Sequence, residues 1–504
     1  MQIVNIRKDH TMKAKQITAL LLAAAMGLSL AACGTTTDTN SASDTAAEAD
    51  TTAEMSANDQ SGSASIGADE NATTYECSDD EAHAIEADGE EAAYDDITVN
   101  KTGEADGDEA DFYGTNAAVF ATNGADLTIS HATIETSGSH ANAVFSYGEG
   151  TTLTISDSKI HTDENNSGGI MVTGGGTLYA NNLDIHTEGG SSAAIRSDRG
   201  GGTMVVEGGT YQADGSGSPA IYSTADITVN DAILSGTTAQ AVVVEGGNSV
   251  TLNNCETTGD NTSKNSDKSD YYQAVMLYQS MSGDASNGGS TFTAEGGTLT
   301  SLNGGMFFVT NTVATINLTD VELGYASDDL LRICAAGWGN DGSNGGHVTL
   351  NASSQSLEGV ITVDDISELN LVLTDDSTFT GSIDNEGTVY VSLSGGSKWV
   401  LTADTSIDYL NCEADSIDLN GYTLTVGGEA YEEGTVMVDD EIDMSAALSD
   451  SNGAMGGSMG KPGDDSKPGD GSKPDGDGSG SGNSDSGTTP PEKPSNDSSG
   501  SGSK

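Results

Sequence analysis

LTISHATIET at residues 127–136, LTISDSKIHT at 153–162 and LYANNLDIHT at 178–187 are one pattern written three times. In each, apolar residues alternate with polar ones, the period of a strand with one buried face, and a small turn separates two such runs. The pattern recurs roughly twelve times, from starts at Leu127, Leu153, Leu178, Met204, Ile227, Val250, Phe292, Ile316, Val348, Leu369, Val389 and Leu410. Downstream of most starts lies a further apolar strand, as in ANAVFSY, GGIMVTG, SAAIRSD, SPAIYST, AQAVVVEG, YQAVMLYQ and GGMFFVT. Two or three short strands per repeat, joined by Gly, Asn and Asp, predict one coil of a parallel β-helix. One coil cannot bury its own apolar face, so the coils must stack into a continuous core. The expected fold is an all-β solenoid over residues 72–430, with 431–444 as its closing segment.

Low-complexity sequence flanks this region. Lys13 and Lys15 precede an apolar run from Ile17 to Ala32, and LAAC ends at Cys33. This is the pattern of a bacterial lipoprotein signal over 1–32, with Cys33 as the lipidated residue and Met12 as a second candidate start. The run is short and Ala-rich for a membrane span. Residues 33–71 are acidic and rich in Ser, Thr and Ala, a tether with too little apolar surface to fold. From 445 to 504 the chain turns to KPGDD, KPGDG and then Ser, Gly and Pro, a disordered spacer. The expected location is the extracellular face of the membrane, at the cell surface, anchored through the lipid on Cys33.

With 78 acidic against 17 basic residues the formal charge is −61, which excludes nucleic acid as a partner, since phosphate binding needs Lys and Arg. Aromatic residues make up 5% of the chain, low for a compact enzyme and ordinary for a solenoid filled by Val, Ile, Leu and Ala. Besides Cys33 the cysteines are Cys77, Cys255, Cys334 and Cys412, each in a different coil. Coils repeat at about 4.8 Å, so cysteines two or more coils apart exceed disulfide reach and no disulfide framework is expected.

In such a stack every strand position is also a position in a row along the long axis. Taking Val144, Ile170, Ile195, Ile221, Val242, Val275 and Met306 as inward, the next residue points outward. That outward row reads Phe120, Phe145, Met171, Arg196, Tyr222, Val243, Met276, Phe307 and Arg332, and it holds two of the four arginines in the chain. A row so apolar is either covered by longer turns or is a groove for an extended polymer. In a groove, aromatic residues would stack on sugar rings while Arg196 and Arg332 anchor acidic or hydroxyl groups. Two insertions could wall it: TGDNTSKNSDKSDYYQ, and GWGNDGSNGG with Trp338. The ligand-binding candidates are therefore Phe120, Phe145, Met171, Arg196, Tyr222, Met276, Phe307, Arg332 and Trp338. His161 and His186 fall at equivalent positions of adjacent coils, where two imidazoles could share a divalent metal, with the third ligand left open. Coincidental stacking of two surface histidines is the competing reading.

The stretch FSYGEGTTLTISDSKIHTDENNSGGI, then SSAAIRSDRGGGT, SPAIYSTADITV, VVVEGGNSVTLNNC and MFFVTNT, through SKWVLTADTSIDYL and LNGYTLTV, resembles a group of bacterial surface proteins. These are right-handed parallel β-helices of the pectin-lyase-like superfamily, an adhesin-like group common in gut Firmicutes. The expectation is a surface protein binding a polysaccharide, a surface glycan or a protein without catalysis, with no cofactor unless calcium serves as one. The resemblance itself implies an exported, adhesin-like or carbohydrate-associated function and supplies no established active-site residues. It also implies an alternative, a calcium-dependent polysaccharide lyase or hydrolase. Some enzymes of the superfamily use an arginine base beside acidic residues that hold calcium, and Arg196, Asp198 and Arg199 in RSDRGGG are the residues here that match that chemistry. An ordinary Arg/Asp ion pair is the competing reading, and fold analogy alone confers no chemistry.

Overall fold

The computed structural model describes residues 66–264 and 268–445, with residue 447. The signal over 1–32, Cys33, the tether to residue 65 and almost all of the tail lie outside the described residues. What is described is nearly all β, built from long parallel sheets of 22 and 14 strands.

The repeat period makes the sheets. In the larger sheet, strand Asp126–Thr136 pairs through its first half with Thr152–Ser156 and through its second with Lys159–Thr162. Two columns of strands therefore leave it side by side. One continues through Gly176–Asn181, Gly202–Glu207 and Asp226–Asn230; the other runs through Asp184–Thr187, Thr210–Ala213 and Ile233–Gly236. A third strand of each repeat, such as Val144–Tyr147, Ile170–Thr173 and Ile195–Ser197, joins the 14-stranded sheet. Register is strict, so equivalent residues stack: Leu127 on Leu153 on Leu178 on Met204, and Ile129 on Ile155 on Ala180 on Val206. These residues are buried and form one continuous core with Val144, Ile170, Ile195, Ile221 and Val242.

The corner between the two columns of the larger sheet explains why Gly, Asn and Asp recur there. It requires one residue in the left-handed region, where an ordinary side chain crowds its own carbonyl. The corner residues are His131, Asp157, Asn182, Gly208, Asp231, Asn254, Gly296 and Asp320, with φ between 48° and 65°. Short polar side chains also tie corners together: Asn182 Nδ2 donates to Asp157 Oδ1 at 2.7 Å, and Asn254 Nδ2 to Asp231 Oδ1 at 2.6 Å.

The step per rung varies with the insertions, reaching 42 residues between Val250 and Phe292, and is shortest near the end of the stack. Hydrogen-bonded rung neighbours are 25 residues apart at Asn182 and Asp157, 22 apart at Ser353 and Asp375, and 19 apart at Asn411 and Ser392. From Gly346 to Leu393 the strands lengthen and merge, Ser356–Val363 pairing along its whole length with Thr378–Asn385. The stack ends differently from how it runs: Met437–Val438 pairs antiparallel with the strand Tyr409–Cys412. The cysteines Cys77, Cys255, Cys334 and Cys412 are free thiols.

One register differs from the sequence expectation. Val275 pairs with Phe307 and Met276 with Phe308, so Phe307 is a core residue and Phe308 takes its place in the outer row. Met306, Phe307 and Phe308 are three apolar residues in succession, and a period of two cannot choose among them.

The corner gives a clean test. A side chain at Gly208 would meet nothing within 4 Å, so only its φ of 65° resists substitution. Gly208→Asn should be nearly neutral, while Gly208→Val should lower the unfolding free energy by about 1–2 kcal/mol. Urea denaturation of both variants checks this.

Candidate functional site

The outer row of the 14-stranded sheet is continuous in space. Phe120 pairs with Phe145, Phe145 with Met171, Met171 with Arg196, Arg196 with Tyr222, Tyr222 with Val243, Val243 with Met276, Met276 with Phe308 and Phe308 with Arg332. Most of it does not face solvent. Phe145, Met171 and Met276 are fully buried, Phe120 and Trp338 nearly so. None of the five is available to stack on a ligand, which corrects their reading as contact residues.

Two insertions cover the row. At the N-terminal end, the segment carrying the short helix Asp108–Tyr113 lies over it, and Ala117, Phe120, Phe145 and Met171 form a satellite core flanked by Tyr147. Thr173 donates to the carbonyl of Phe112 at 2.7 Å, and Tyr113 packs edge-on against Tyr147 with ring centres 5.8 Å apart. The helix ends at Gly114, whose φ is 73°; a side chain there would lie 2.6 Å from the Phe120 ring. At the other end Trp338 joins Val243, Met276, Phe308 and Cys334 in a second satellite core, against Tyr278 at 5.2 Å. Asn344 holds that loop through the carbonyls of Ala336 and Trp338.

Between the two covers the row is polar. Arg196, 7% exposed, donates from Nη2 to Asp198 Oδ2 at 3.0 Å and from Nη1 to Asp111 Oδ1 at 3.5 Å. Asp111 also meets His140 Nδ1 at 3.0 Å, and Asn166 lies 3.1 Å from His140 Nε2. Tyr222 donates its hydroxyl to Glu245 Oε2 at 2.5 Å, and Ser280 holds the other oxygen of Glu245. Asn166, Ser191, Arg196, Asp198, Pro219 and Tyr222 line a depression of about 300 Å³. A larger depression, of about 410 Å³, lies at another corner near Gln279, Asn311 and Asn340. His347 and Glu368, paired at 2.9 Å, and Asp443 stand on its wall, but no residue of the outer row lines it, whereas the smaller one is built on that row.

The electrostatics follow from burial. Burial of Arg196 disfavours its charge, but Asp198 and then Asp111 outweigh that and hold the guanidinium protonated. Burial pushes the Asp198 carboxyl up to about 6, against the pull of Arg196 and with further upward pressure from Asp111 and Asp284. Burial raises Tyr222 and Tyr278 well above the ordinary phenol, reinforced at each by the charge of Glu245. Arg199 does not join this cluster. It lies in the turn after the strand Ile195–Ser197, where it pairs with Asp284 at 2.9 Å and stacks on the Phe112 ring at 3.9 Å.

Arg332 closes the row in a second depression of about 200 Å³, with Asp270, Tyr271, Phe308 and Asp329. It bonds Asp329 Oδ1 at 2.8 Å and lies 4.5 Å from the centre of the Tyr271 ring, which rests on Phe308 at 5.3 Å. His161 and His186 pair across adjacent strands on the larger sheet, away from this row. Sequence reasoning missed Asp111 and His140. Asp111 lies 85 residues from Arg196, on an insertion outside the repeat, so no period points to it.

No protein-family model, curated protein or solved structure matches the chain.

The raised carboxyl makes a signed prediction. Asp198 titrates near 3.8 when unperturbed and near 6 in the fold, so its protonation stabilises the fold fully below the lower value, and that stabilisation is lost as pH rises through the upper one. Asp198→Asn cannot ionise. Relative to the parent it should gain roughly 2–3 kcal/mol of unfolding free energy between about pH 4 and about pH 7.5, measured by urea denaturation at both.

Proposed function

We propose that the protein is an exported, lipid-anchored, right-handed parallel β-helix of the pectin-lyase-like kind. In this reading it sits at the extracellular face of the membrane and binds an extended polysaccharide or surface glycan without transforming it. The observation that carries this reading is the placement of two arginine-bearing depressions on one row of one sheet. Arg196 and Arg332 are joined through Tyr222, Val243, Met276 and Phe308. Five rung steps of about 4.8 Å set the two roughly 24 Å apart, a span suited to several units of a linear polymer.

Each depression offers what a sugar or uronate unit needs. Tyr271 is 37% exposed with Arg332 against its face, and Asp329 and Asp270 stand beside it as acceptors. At the other end, Asn166, Ser191 and Tyr222 line a depression in which Arg196, 7% exposed and held by two carboxylates, forms part of the floor and is not itself a free anchor. The covered segment between them, with Tyr278 and Trp338, supplies a rigid floor. Rigid, prearranged surfaces reduce the ordering cost of binding. The cell-surface placement rests on the signal pattern ending at Cys33 and on the acidic composition.

A second reading is favoured by one observation. Asp198, with its carboxyl near 6 and Tyr222 in the same depression, has the properties of a general acid, as a polysaccharide lyase or hydrolase would require. Arg196 cannot serve such an enzyme as base, because Asp198 and Asp111 hold it charged. Calcium would have to compete with Arg196 for those same carboxylates.

Screening the full chain against an array of plant, mucin and bacterial polysaccharides should give binding without product, with ultraviolet absorbance and reducing-end assays remaining flat. For the best hit, Tyr271→Ala and Arg332→Gln should each weaken binding by about tenfold while the unfolding midpoint stays in place. Unchanged affinity in both variants would sink the proposed groove, and product formation would move the enzymatic reading to first place.

A further inference from the structure

The outer face of the larger sheet carries a second polar constellation, separate from the row described above. In the column through Lys159–Thr162 and Asp184–Thr187, His161 pairs in register with His186, and strict stacking sets their ring centres 5.1 Å apart. Each histidine is followed two residues later by an acid: His161 by Asp163, His186 by Glu188. On the next rung Gln212 takes the histidine position and Asp214 the acidic one. Two short rows therefore run side by side, one of imidazoles and one of carboxylates.

We infer that His161, His186 and Glu188 form a binding site for a divalent first-row transition metal such as Zn²⁺. One ligand atom from each of the three lies within 4.8 Å of the other two. A tetrahedral zinc ion with bonds of about 2.0–2.2 Å needs its ligand atoms about 3.4 Å apart. Closing that difference takes side-chain rotation alone, because all three residues sit on the outer face, the histidines half-buried and Glu188 exposed. The donor set also selects the metal. Two imidazoles and one carboxylate suit zinc, copper or nickel, whereas calcium and magnesium call for oxygen ligands throughout.

The surroundings favour the same reading. His161 Nε2 meets Asp163 Oδ1 at 2.7 Å and Glu188 Oε1 at 3.6 Å, and His186 Nε2 meets Asp214 Oδ2 at 2.7 Å. Asp214 is itself fixed by Gln212 Nε2 at 2.9 Å and Thr237 Oγ1 at 2.8 Å. Asp163 and Asp214 both sit on Nε2, so each would either share a metal bound at that nitrogen or, with the metal on Nδ1, set the ring's tautomer and raise its basicity from the far side. Lys159 is engaged by Asp184 rather than pointing into the cluster. Three protein ligands leave the remaining coordination positions to water or to a donor from outside, the arrangement of an open rather than a closed zinc site.

The test uses the untagged full chain, freed of metal, titrated with ZnCl₂ by calorimetry in excess Ca²⁺ and Mg²⁺ to saturate dispersed carboxylates. One saturable site is expected. His161→Ala, His186→Ala and Glu188→Gln should each weaken it by at least about tenfold with no change in circular dichroism. Co²⁺ in place of Zn²⁺ should give visible absorption from nitrogen and oxygen ligands that disappears in the double variant His161→Ala/His186→Ala. Absence of a saturable site, retention of full affinity in that double variant, or a thiolate-to-cobalt charge-transfer band pointing to a cysteine would each overturn the assignment.

Discussion

Parallel strands held in register at one rung spacing make every property of this molecule additive along an axis. A residue chosen at one position of the repeat meets its own counterpart above and below, so likes stack on likes. For Leu, Ile and Val that gives a core without a centre, each rung burying the face that its neighbour exposes. For Asn and Asp at the corners it gives side-chain hydrogen bonds from rung to rung, such as Asn254 to Asp231 at 2.6 Å. For His161 and His186 it gives two imidazoles in contact.

The same rule creates a problem that the insertions solve. A row of Phe, Met and Val on the outer face would be an exposed apolar strip of the sort that drives association. The helix Asp108–Tyr113 closes one part of it and the Trp338 loop another, and both are held by hydrogen bonds to the rungs or within the loop. The arginines sit where the cover is incomplete. Arg196 interrupts the strip between the two satellite cores and Arg332 ends it, so charge stands at the margins of each dry patch. Burying Arg196 is tolerable because two carboxylates come with it, one just past the end of its own strand and one from the covering insertion.

How much of this could be read in advance depends on whether a residue obeys the period. The inward and outward rows from Phe120 to Met276 were legible because alternation fixes the face and the repeat fixes the rung. Where Met306, Phe307 and Phe308 suspend the alternation, the reading slipped by one. The covering of the strip was open from sequence, since the insertions have no period to place them. Asp111, the second partner of Arg196, was for that reason invisible. Glu188 was within reach: IHTD at 160–163 and IHTE at 185–188 put an acid two residues after each histidine, and a period of two places both on one face.

The antiparallel pairing of Met437–Val438 against Tyr409–Cys412 bears on what many copies of the chain do together. A terminal rung of parallel, in-register strands is a template that a second molecule could extend, rung upon rung, into a fibre. Laying a reversed segment across that edge uses its hydrogen-bonding groups in a pattern that a parallel newcomer cannot continue. At that edge of the larger sheet, the reversed strand opposes the end-to-end polymerisation to which a stack of identical layers is otherwise prone.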